Sequence, residues 1–403
     1  MAGETVFFLP FVMVRIFRPT YLDAFSINNF QLGTAFSFYG VVAMFSYFLG
    51  GPLADRFSAK KLMSAALALT GLGGFRLMAF PSTTELNLIY GFWGMTTILL
   101  FWAALIKTTR IWGGRLNQGM AYGLLDAGRG LSAAILASVS VWAFATILPQ
   151  DLSTMDINDQ REGMRMIILS YSIFTILVGL LVYVVIPYSM DQKGTGNHIN
   201  LKTVKSLASH PIIWLQAIIV LCAYVGYKCT DDFSLYASDV MGYDDVKAAN
   251  YGTISYWTRP LIAVAAGFTA DRFLSSKVIM GGFLITIAGS IMMASGWIDP
   301  NGSILLITSI VILSIGIYAM RGVYFALLQE GKISVAVSGT AIGIISVVGF
   351  TPDIFMGPLM GYLIDNNPGA LGHQYLFSLL GGFSIIGLVA SVVFYNVNNS
   401  PSH

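Results

Sequence analysis

The sequence predicts an all-α polytopic membrane protein with twelve transmembrane helices, and three observations carry this prediction. Of the 403 residues, 56% are hydrophobic and only 10% are charged, which leaves too few charges to cover the surface of a soluble domain of this length. The mean hydropathy is +0.72. The apolar residues also fall into twelve runs, most of them close to the roughly 20 residues that a membrane-spanning helix requires.

The runs are bounded by polar or helix-breaking residues, which places the helices in chain order. They are predicted at residues 5–23, 30–49, 62–80, 88–108, 119–147, 163–187, 211–236, 248–269, 278–297, 303–328, 336–360 and 374–395. The longest polar stretch, residues 188–210, contains two glycines and three lysines, a composition that favours a linker over a span. We therefore predict an N-terminal six-helix bundle over residues 1–187, a linker on the cytoplasmic side, and a C-terminal six-helix bundle over residues 211–403.

The first run resembles the apolar core of a signal peptide. It has no basic leader and no small-residue exit, and it continues directly into Arg15 and Arg18. We therefore interpret it as the first transmembrane helix.

The positively charged residues favour one side of the membrane. If the N-terminus is cytoplasmic, the loops on that side carry Arg56, Lys60, Lys61, Arg110, Arg115, Lys193, Lys202, Lys205, Arg272, Lys277 and Lys332. The loops on the other side then carry Arg161, Arg165 and Lys247. Because cytoplasmic loops retain Lys and Arg, this distribution predicts that both termini are cytoplasmic, in a bacterial inner membrane.

Several classes of function are disfavoured. The two cysteines, Cys222 and Cys229, are seven residues apart in one apolar run, a separation of roughly 10 Å along a helix that prevents a disulfide bond. The sequence contains no metal-binding, nucleophile-elbow or nucleotide-binding motif. The formal net charge of +2 is too small to indicate nucleic-acid binding. We therefore expect a monomer in the lipid bilayer that is not an enzyme and needs no cofactor.

A short pattern occurs twice, after the second and after the eighth predicted helix. In both copies a glycine precedes an Asp-Arg pair by four residues, and the copies are 216 residues apart (267 − 51 and 271 − 55). The residues are Gly51, Asp55 and Arg56 in the first copy and Gly267, Asp271 and Arg272 in the second. We interpret them as a gate that holds neighbouring helix ends together by charge. The alternative is that the two arginines only set the topology.

The first copy and the two lysines that follow it resemble the signature loop of the major facilitator superfamily. In this sequence, Ser58 and Ala59 stand where that loop usually has a glycine and a basic residue. Residues 101–110, 123–130 and 351–358 resemble a bacterial YihN-like subgroup of this superfamily. The chain is more distantly similar to organophosphate:phosphate antiporters. The resemblance covers essentially the whole chain. It implies two six-helix pseudo-repeats that work by alternating access.

Charged residues inside the predicted spans indicate the site, because an ionisable group within a membrane usually faces the bundle interior or a cavity. Eight basic residues lie there: Arg15, Arg18, Arg76, Lys107, Arg129, Lys228, Arg259 and Arg321. They outnumber the buried acids, which are Asp126, Asp231, Asp232 and Asp353. A positive interior suits an anionic substrate.

The repeat relates two pairs of these bases. Arg15 and Lys228 are 213 residues apart (228 − 15), and Lys107 and Arg321 are 214 apart (321 − 107). They lie on helices 1, 7, 4 and 10, which line the central cavity in the superfamily. The resemblance therefore implies that all four side chains reach one substrate site. The aromatic residues best placed beside them are Trp102, Tyr227 and Tyr318.

Other interpretations remain open at this stage. Arg18, Arg76 and Lys107 could extend to the membrane interfaces. Arg129 could pair with Asp126, three residues earlier on the same helix, and Arg259, which precedes Pro260, could stabilise a kink. Each of the four aspartates could carry a coupling proton or simply neutralise a base.

The sequence thus predicts a secondary active transporter, a symporter or antiporter, for a small organic anion such as a sugar- or phosphate-bearing metabolite. Its partners are then the substrate, the bilayer and a coupling proton or counter-anion. Two alternatives stay open. One is a proton-coupled carrier or exporter of neutral or amphipathic compounds, and the other is a non-transporting receptor or scaffold of the same fold.

Overall fold

The computed structural model describes residues 1–113, 118–147, 156–186, 201–300, 302–333 and 337–399, and nearly all of them are helical. Twelve long helical segments follow one another in the order predicted. They are α1 (2–25), α2 (Asn29–Arg56), α3 (Ala59–Leu77), α4 (83–113), α5 (Gln118–Ile147), α6 (Ile157–Val185), α7 (Pro211–Asp239), α8 (Asp245–Arg272), α9 (Ser275–Ala294), α10 (Ser303–Val323), α11 (338–366) and α12 (Ala370–Asn399). The predicted twelve-helix fold class is confirmed, with α1–α6 and α7–α12 as its two halves.

Within the described residues, nine of these segments are long and apolar enough to cross a membrane. The other three are α1, α3 and α8. Helix α1 is divided into short pieces, α3 contains Lys60, Lys61 and Arg76, and α8 contains Arg259 among other polar residues. In these three helices, breaks or charged and polar residues interrupt the continuous apolar run that a membrane span usually has.

Four helices are irregular where they pass through the centre. Helix α1 contains a π-helical stretch at Phe8–Val12 and breaks again at Phe17, and α4 contains one at Met95–Trp102. Helix α7 narrows to a 3₁₀ turn at Thr230–Asp232. Helix α11 is interrupted before Pro352, where the proline ring removes a backbone donor. Such interruptions bend a helix and free backbone carbonyls for other partners.

The two halves close against each other at one face of the membrane. We call the face at which α1 begins and α12 ends the terminal face, and the other the opposite face. Near the opposite face, α2 packs against α11 so closely that a Cβ on Gly33 would lie 2.2 Å from the carbonyl oxygen of Gly357. The carboxylate of Asp365 accepts hydrogen bonds from the backbone N–H groups of Asn29 (3.2 Å) and Phe30 (2.8 Å). A residue of the C-terminal half thus caps a helix of the N-terminal half.

Part of the predicted linker is helical. Residues Leu201–Ala208 form a short helix that packs against α7 and α11. Residues 188–200 lie outside the described part of the chain, so the boundaries of the two bundles and the linker stay a prediction.

Adding a methyl group at the close contact between α2 and α11 should destabilise this arrangement of the halves. We expect Gly33→Ala to lower the thermal unfolding midpoint in detergent by an amount equivalent to about 1–3 kcal/mol, because the backbone of Gly357 cannot move aside easily. Gly281→Ala on α9 is the matched control, since no atom lies within 4 Å of a Cβ there. Equal midpoints for the two variants would contradict the close packing.

Candidate functional site

The centre of the bundle holds an ion pair that joins the two halves. The guanidinium of Arg15 on α1 donates from Nε to the carboxylate of Asp231, which lies in the 3₁₀ turn of α7. Its Nη1 donates to the hydroxyl groups of Tyr227 (3.0 Å) and Tyr256 (3.2 Å). The side chain of Arg15 is 1% exposed. The turn also frees the backbone carbonyl of Asp231, to which Arg18 donates at 3.2 Å.

Lys228 extends this network toward α11. Its Nζ lies 3.6 Å from Asp231 and 3.4 Å from Asp353. The ammonium group also lies over the ring of Phe11, 4.6 Å from its centroid, which is a favourable position for a cation. Asp353 additionally accepts from the hydroxyl of Tyr224 at 3.0 Å. Both charges of the predicted helix 1 and helix 7 pair therefore already have carboxylate partners.

A second network also crosses between the halves. Glu4 on α1 is 2% exposed and accepts from Arg129 of α5 and from Arg259 of α8, both at 2.9 Å. Asp126 of α5 accepts from the same Arg259 at 3.1 Å, and Arg129 lies 3.8 Å from it. Arg259 therefore has carboxylate partners on two helices of the other half.

Glu4 is the functional residue that the sequence analysis missed. It immediately precedes the predicted first span at residue 5, and an acid at that position looks like part of a solvated terminus. One feature of the sequence could have indicated it. Glu4 precedes Arg15 by eleven residues, which is about three helical turns, so a regular helix places both side chains on the same face.

The charges of these two networks balance, with four bases against four acids. Arg15, Lys228, Arg129 and Arg259 are matched by Asp231, Asp353, Glu4 and Asp126.

Arg321 of α10 is the additional base. Within the described residues, no carboxylate lies at ion-pair distance from Arg321, and its buried Nη1 has no hydrogen-bond partner. The guanidinium instead lies 3.6 Å from the ring centroid of Tyr227.

The three aromatic residues predicted for the site all adjoin these charges. Tyr227 contacts Arg15 and Arg321, and Trp102 lies 5.3 Å from the guanidinium of Arg129. Tyr318 lies 5.9 Å from Arg259 and is buried, and its hydroxyl has no hydrogen-bond partner among the described residues. Beside these charges, three buried polar atoms have no hydrogen-bond partner among the described residues: Nη1 of Arg321, the hydroxyl of Tyr318 and Nη2 of Arg15, which still pairs with Asp231. Arg321 and Tyr318 are therefore available to an occupant.

Three other bases lie away from this centre or are engaged elsewhere. Lys107 donates from Nζ to the backbone carbonyl of Ala54 at 2.7 Å, near the terminal-face end of α2. Arg76 is exposed and pairs with Glu85. Arg18 does not extend to an interface, so that interpretation is wrong. It is buried, because its guanidinium donates to Asn29 at 3.0 and 2.8 Å and to the α7 turn.

The remaining predicted residues are placed as follows. Asp232 faces away from the centre and pairs with His373 of α12 at 2.7 Å. Arg56 and Arg272 are exposed at the terminal face, and a Cβ on Gly51 or Gly267 would meet no atom within 4 Å. The side chains of Asp55 and Asp271 lie outside the described part of the structure, so the gate stays a prediction. Among the described residues, no cluster of three or more His, Cys, Asp or Glu could hold a metal ion.

Comparison with known proteins identifies the architecture. The family model described as Major Facilitator Superfamily matches residues 1–352. The chain is 25% identical to the inner membrane protein YqcE of Escherichia coli (strain K12), over 91% of this chain and 86% of that protein. It is also 25% identical to the inner membrane protein YihN of the same organism, over 98% and 93%. A structure of the nucleoside transporter NupG superposes with a TM-score of 0.74 at 14% identity, covering 98% of this chain and 99% of that one.

The charge count predicts different effects on stability for two arginines. Arg259→Gln should lower the free energy of unfolding by about 3–5 kcal/mol, because it leaves Arg129 as the one arginine for two carboxylates, Glu4 and Asp126. Arg321→Gln should be close to neutral, because it removes a charge that has no carboxylate. Thermal unfolding of the two purified variants beside the wild type measures this. A loss at Arg321 as large as that at Arg259 would contradict the count.

Proposed function

The chain belongs to the major facilitator superfamily, and we propose that it is a secondary active transporter that moves a small organic monoanion by alternating access. Transporters of this fold carry their substrate between two six-helix halves. The charged networks of this chain lie at that boundary, since Arg15, Arg259 and their carboxylate partners belong to different halves.

The single observation that carries the proposal is that buried Arg321 has no carboxylate within the described residues and that its Nη1 has no hydrogen-bond partner there. Arg18 also has no carboxylate, but its guanidinium is held by Asn29 and by the carbonyl of Asp231. A positive charge in a low-dielectric interior is costly unless an opposite charge accompanies it. An anionic substrate supplies that charge, and its oxygen atoms can accept from the free Nη1 of Arg321 and the hydroxyl of Tyr318. The proposed contacts are therefore Arg321 and Tyr318, with Tyr227 and Trp102 as aromatic walls.

Arg15 and Lys228 take a different role in this proposal. Both already pair with the carboxylates of Asp231 and Asp353, so in this proposal they hold α1, α7 and α11 together around the site. Lys107, bound to the carbonyl of Ala54, is proposed to stabilise the end of α2.

One unmatched cation favours a monoanion over a dianion. A phosphate monoester carries a charge of about −1.5 to −2 at neutral pH, whereas a carboxylate carries −1. The aromatic side chains can pack against the apolar face of a ring. We therefore favour a carboxylate attached to a compact, hydroxylated body, such as a sugar acid, over a sugar phosphate.

The orientation follows from the distribution of basic residues. We propose that the terminal face is cytoplasmic, because the loops there carry eleven Lys and Arg residues against three at the opposite face. The closed opposite face would then be periplasmic. The repeated Gly51 and Gly267 segments, with their Asp-Arg pairs, would form the cytoplasmic gate when the halves rock the other way.

Ligand binding tests the role of Arg321. We expect organic monocarboxylates, and not their uncharged amides, to raise the unfolding temperature of the purified protein, because a ligand at 100 times its Kd stabilises by about 2.7 kcal/mol. Arg321→Gln should abolish this shift, whereas Arg76→Gln, which changes an exposed arginine, should retain it.

Two results would contradict that proposal. Stabilisation by uncharged compounds only would favour a carrier of neutral substrates. Full anion stabilisation in Arg321→Gln would place the anion elsewhere. Movement of the labelled anion into sealed proteoliposomes then separates a transporter from a receptor or scaffold of the same fold.

Labelling in whole cells tests the orientation. A cysteine placed at Lys205 in the linker helix should react with a membrane-impermeant maleimide only after the cells are permeabilised. The native cysteines give little background because both are buried. Labelling of intact cells at this position would reverse the proposed topology.

A further inference from the structure

A buried histidine lies between two carboxylates in the C-terminal half, apart from the anion site. His373 of α12 is fully buried. Its Nδ1 lies 2.7 Å from Oδ2 of Asp232, and its Nε2 lies 3.3 Å from Oδ2 of Asp239. The two aspartates are seven residues apart on α7, which is about two helical turns and places them on one face. We call these three residues the histidine cluster.

The charge of the histidine cluster does not balance. Both ring nitrogens face a carboxylate oxygen, and only a protonated imidazole can donate from both. Even then, one positive charge meets two negative ones. Within the described residues, Asp232 and Asp239 are the only ion-pair partners of His373, and Oδ1 of Asp232 is buried without a hydrogen-bond partner.

The other groups around the ring do not supply a cation. The ring of Tyr236 meets that of His373 edge to face at 5.2 Å, and the buried Cys229 lies one turn before Asp232. Both are neutral in their protonated forms. With the ring neutral, the fully buried part of the cluster, His373 and Asp232, carries a net charge of −1, which is costly, and one proton on the ring removes it.

The histidine cluster also has a route to water. Asp239 is the last residue of α7, at the opposite face, and its side chain is 34% exposed. His373 and Asp232 behind it are fully buried. A proton can therefore pass from water by way of Asp239 to the buried ring of His373, beside Asp232.

The inner end of this route adjoins the centre of the transporter. Asp232 and Asp231 are consecutive residues of the 3₁₀ turn in α7. Asp231 binds Arg15 of the other half, and the following segment contributes Ser234, whose hydroxyl donates to the backbone carbonyl of Arg15 at 2.8 Å. A change of charge on the ring of His373, which contacts Asp232, thus acts on the turn that joins α7 to α1.

From this juxtaposition we propose that the histidine cluster is the proton-binding site of a proton-linked transporter. The inference rests on the proposed function. One proton on the ring of His373 and one monoanion beside Arg321 are carried together, so the proposed stoichiometry is one to one and the cycle is electroneutral. No bond other than that of the proton is made or broken: it binds on one side and is released with the anion on the other.

The first test needs no anion. We expect purified His373→Gln to take up about one proton fewer per molecule than the wild type between pH 9 and pH 6, measured with a pH indicator in weak buffer. Asp244→Asn, which changes an exposed side chain at the same face, is the control. Equal proton uptake by His373→Gln and the wild type would overturn the site.

The second test uses proteoliposomes and a labelled monocarboxylate that passed the binding assay. At equilibrium an inward pH gradient of one unit should concentrate the anion about tenfold in the wild type, and clamping the membrane potential with valinomycin and potassium should not change this. His373→Gln should lose the accumulation but keep anion exchange under counterflow, which needs no net proton movement. His210→Gln, which changes an exposed histidine before α7, should behave as the wild type.

The outcomes separate the two proposals. If the wild type exchanges the anion but a pH gradient does not concentrate it, the proton site is wrong and the transporter proposal stands. Accumulation by His373→Gln at the wild-type level would also overturn the site. If no anion moves in any assay, the proposed function fails, and the titration decides the proton site by itself. Should His373→Gln not fold, Asp239→Asn takes its place with the same expectation, because it changes a partly exposed side chain.

Discussion

The high cost of an unpaired charge inside a membrane protein is the constraint on which the rest of this structure depends. Four buried bases and four carboxylates meet in the centre of the chain, and they meet across the boundary between the halves. Arg15 of α1 binds Asp231 of α7, and Arg259 of α8 binds Glu4 of α1. The halves are therefore joined by the same groups that surround the site, and relative movement of the halves must exchange or release these pairs.

The irregular helices follow from that requirement. Consecutive residues point about 100° apart in an α-helix and about 120° apart in a 3₁₀ turn. At the turn Thr230–Asp232, one carboxylate reaches Arg15 and the other reaches His373. Helix α2 also packs closely against α11 at Asp353, where a Cβ on Gly40 would lie 2.6 Å from the backbone, and the carboxylate of Asp353 lies 3.4 Å from Lys228. The 3₁₀ turn of α7 and the glycines of the α2–α11 contact thus lie beside the charge pairs.

Two buried groups stay incompletely satisfied after the pairing, one basic and one acidic. Arg321 has no carboxylate within the described residues, and Asp232 faces a histidine that is positive only when its ring binds a second proton. Each has a polar atom without a hydrogen-bond partner, Nη1 of Arg321 and Oδ1 of Asp232. Such groups lower the stability of a protein interior. The proposed anion would neutralise Arg321, and the proposed proton would neutralise the pair of Asp232 and His373.

The sequence by itself determined the twelve helices, their order and the repeat, because a transmembrane helix depends on local hydropathy and the Gly51 and Gly267 segments occur in the chain twice. It also indicated that the interior is basic and that Tyr227, Trp102 and Tyr318 lie near the bases. Only the tertiary structure decided which charges remain free. Arg15 and Asp231 are 216 residues apart in the chain, so no local pattern reveals that Arg15 is paired. Glu4 was overlooked and Asp232 was grouped with the central acids for the same reason: a charge is neutralised by its neighbours in space, and packing of distant helices selects those neighbours.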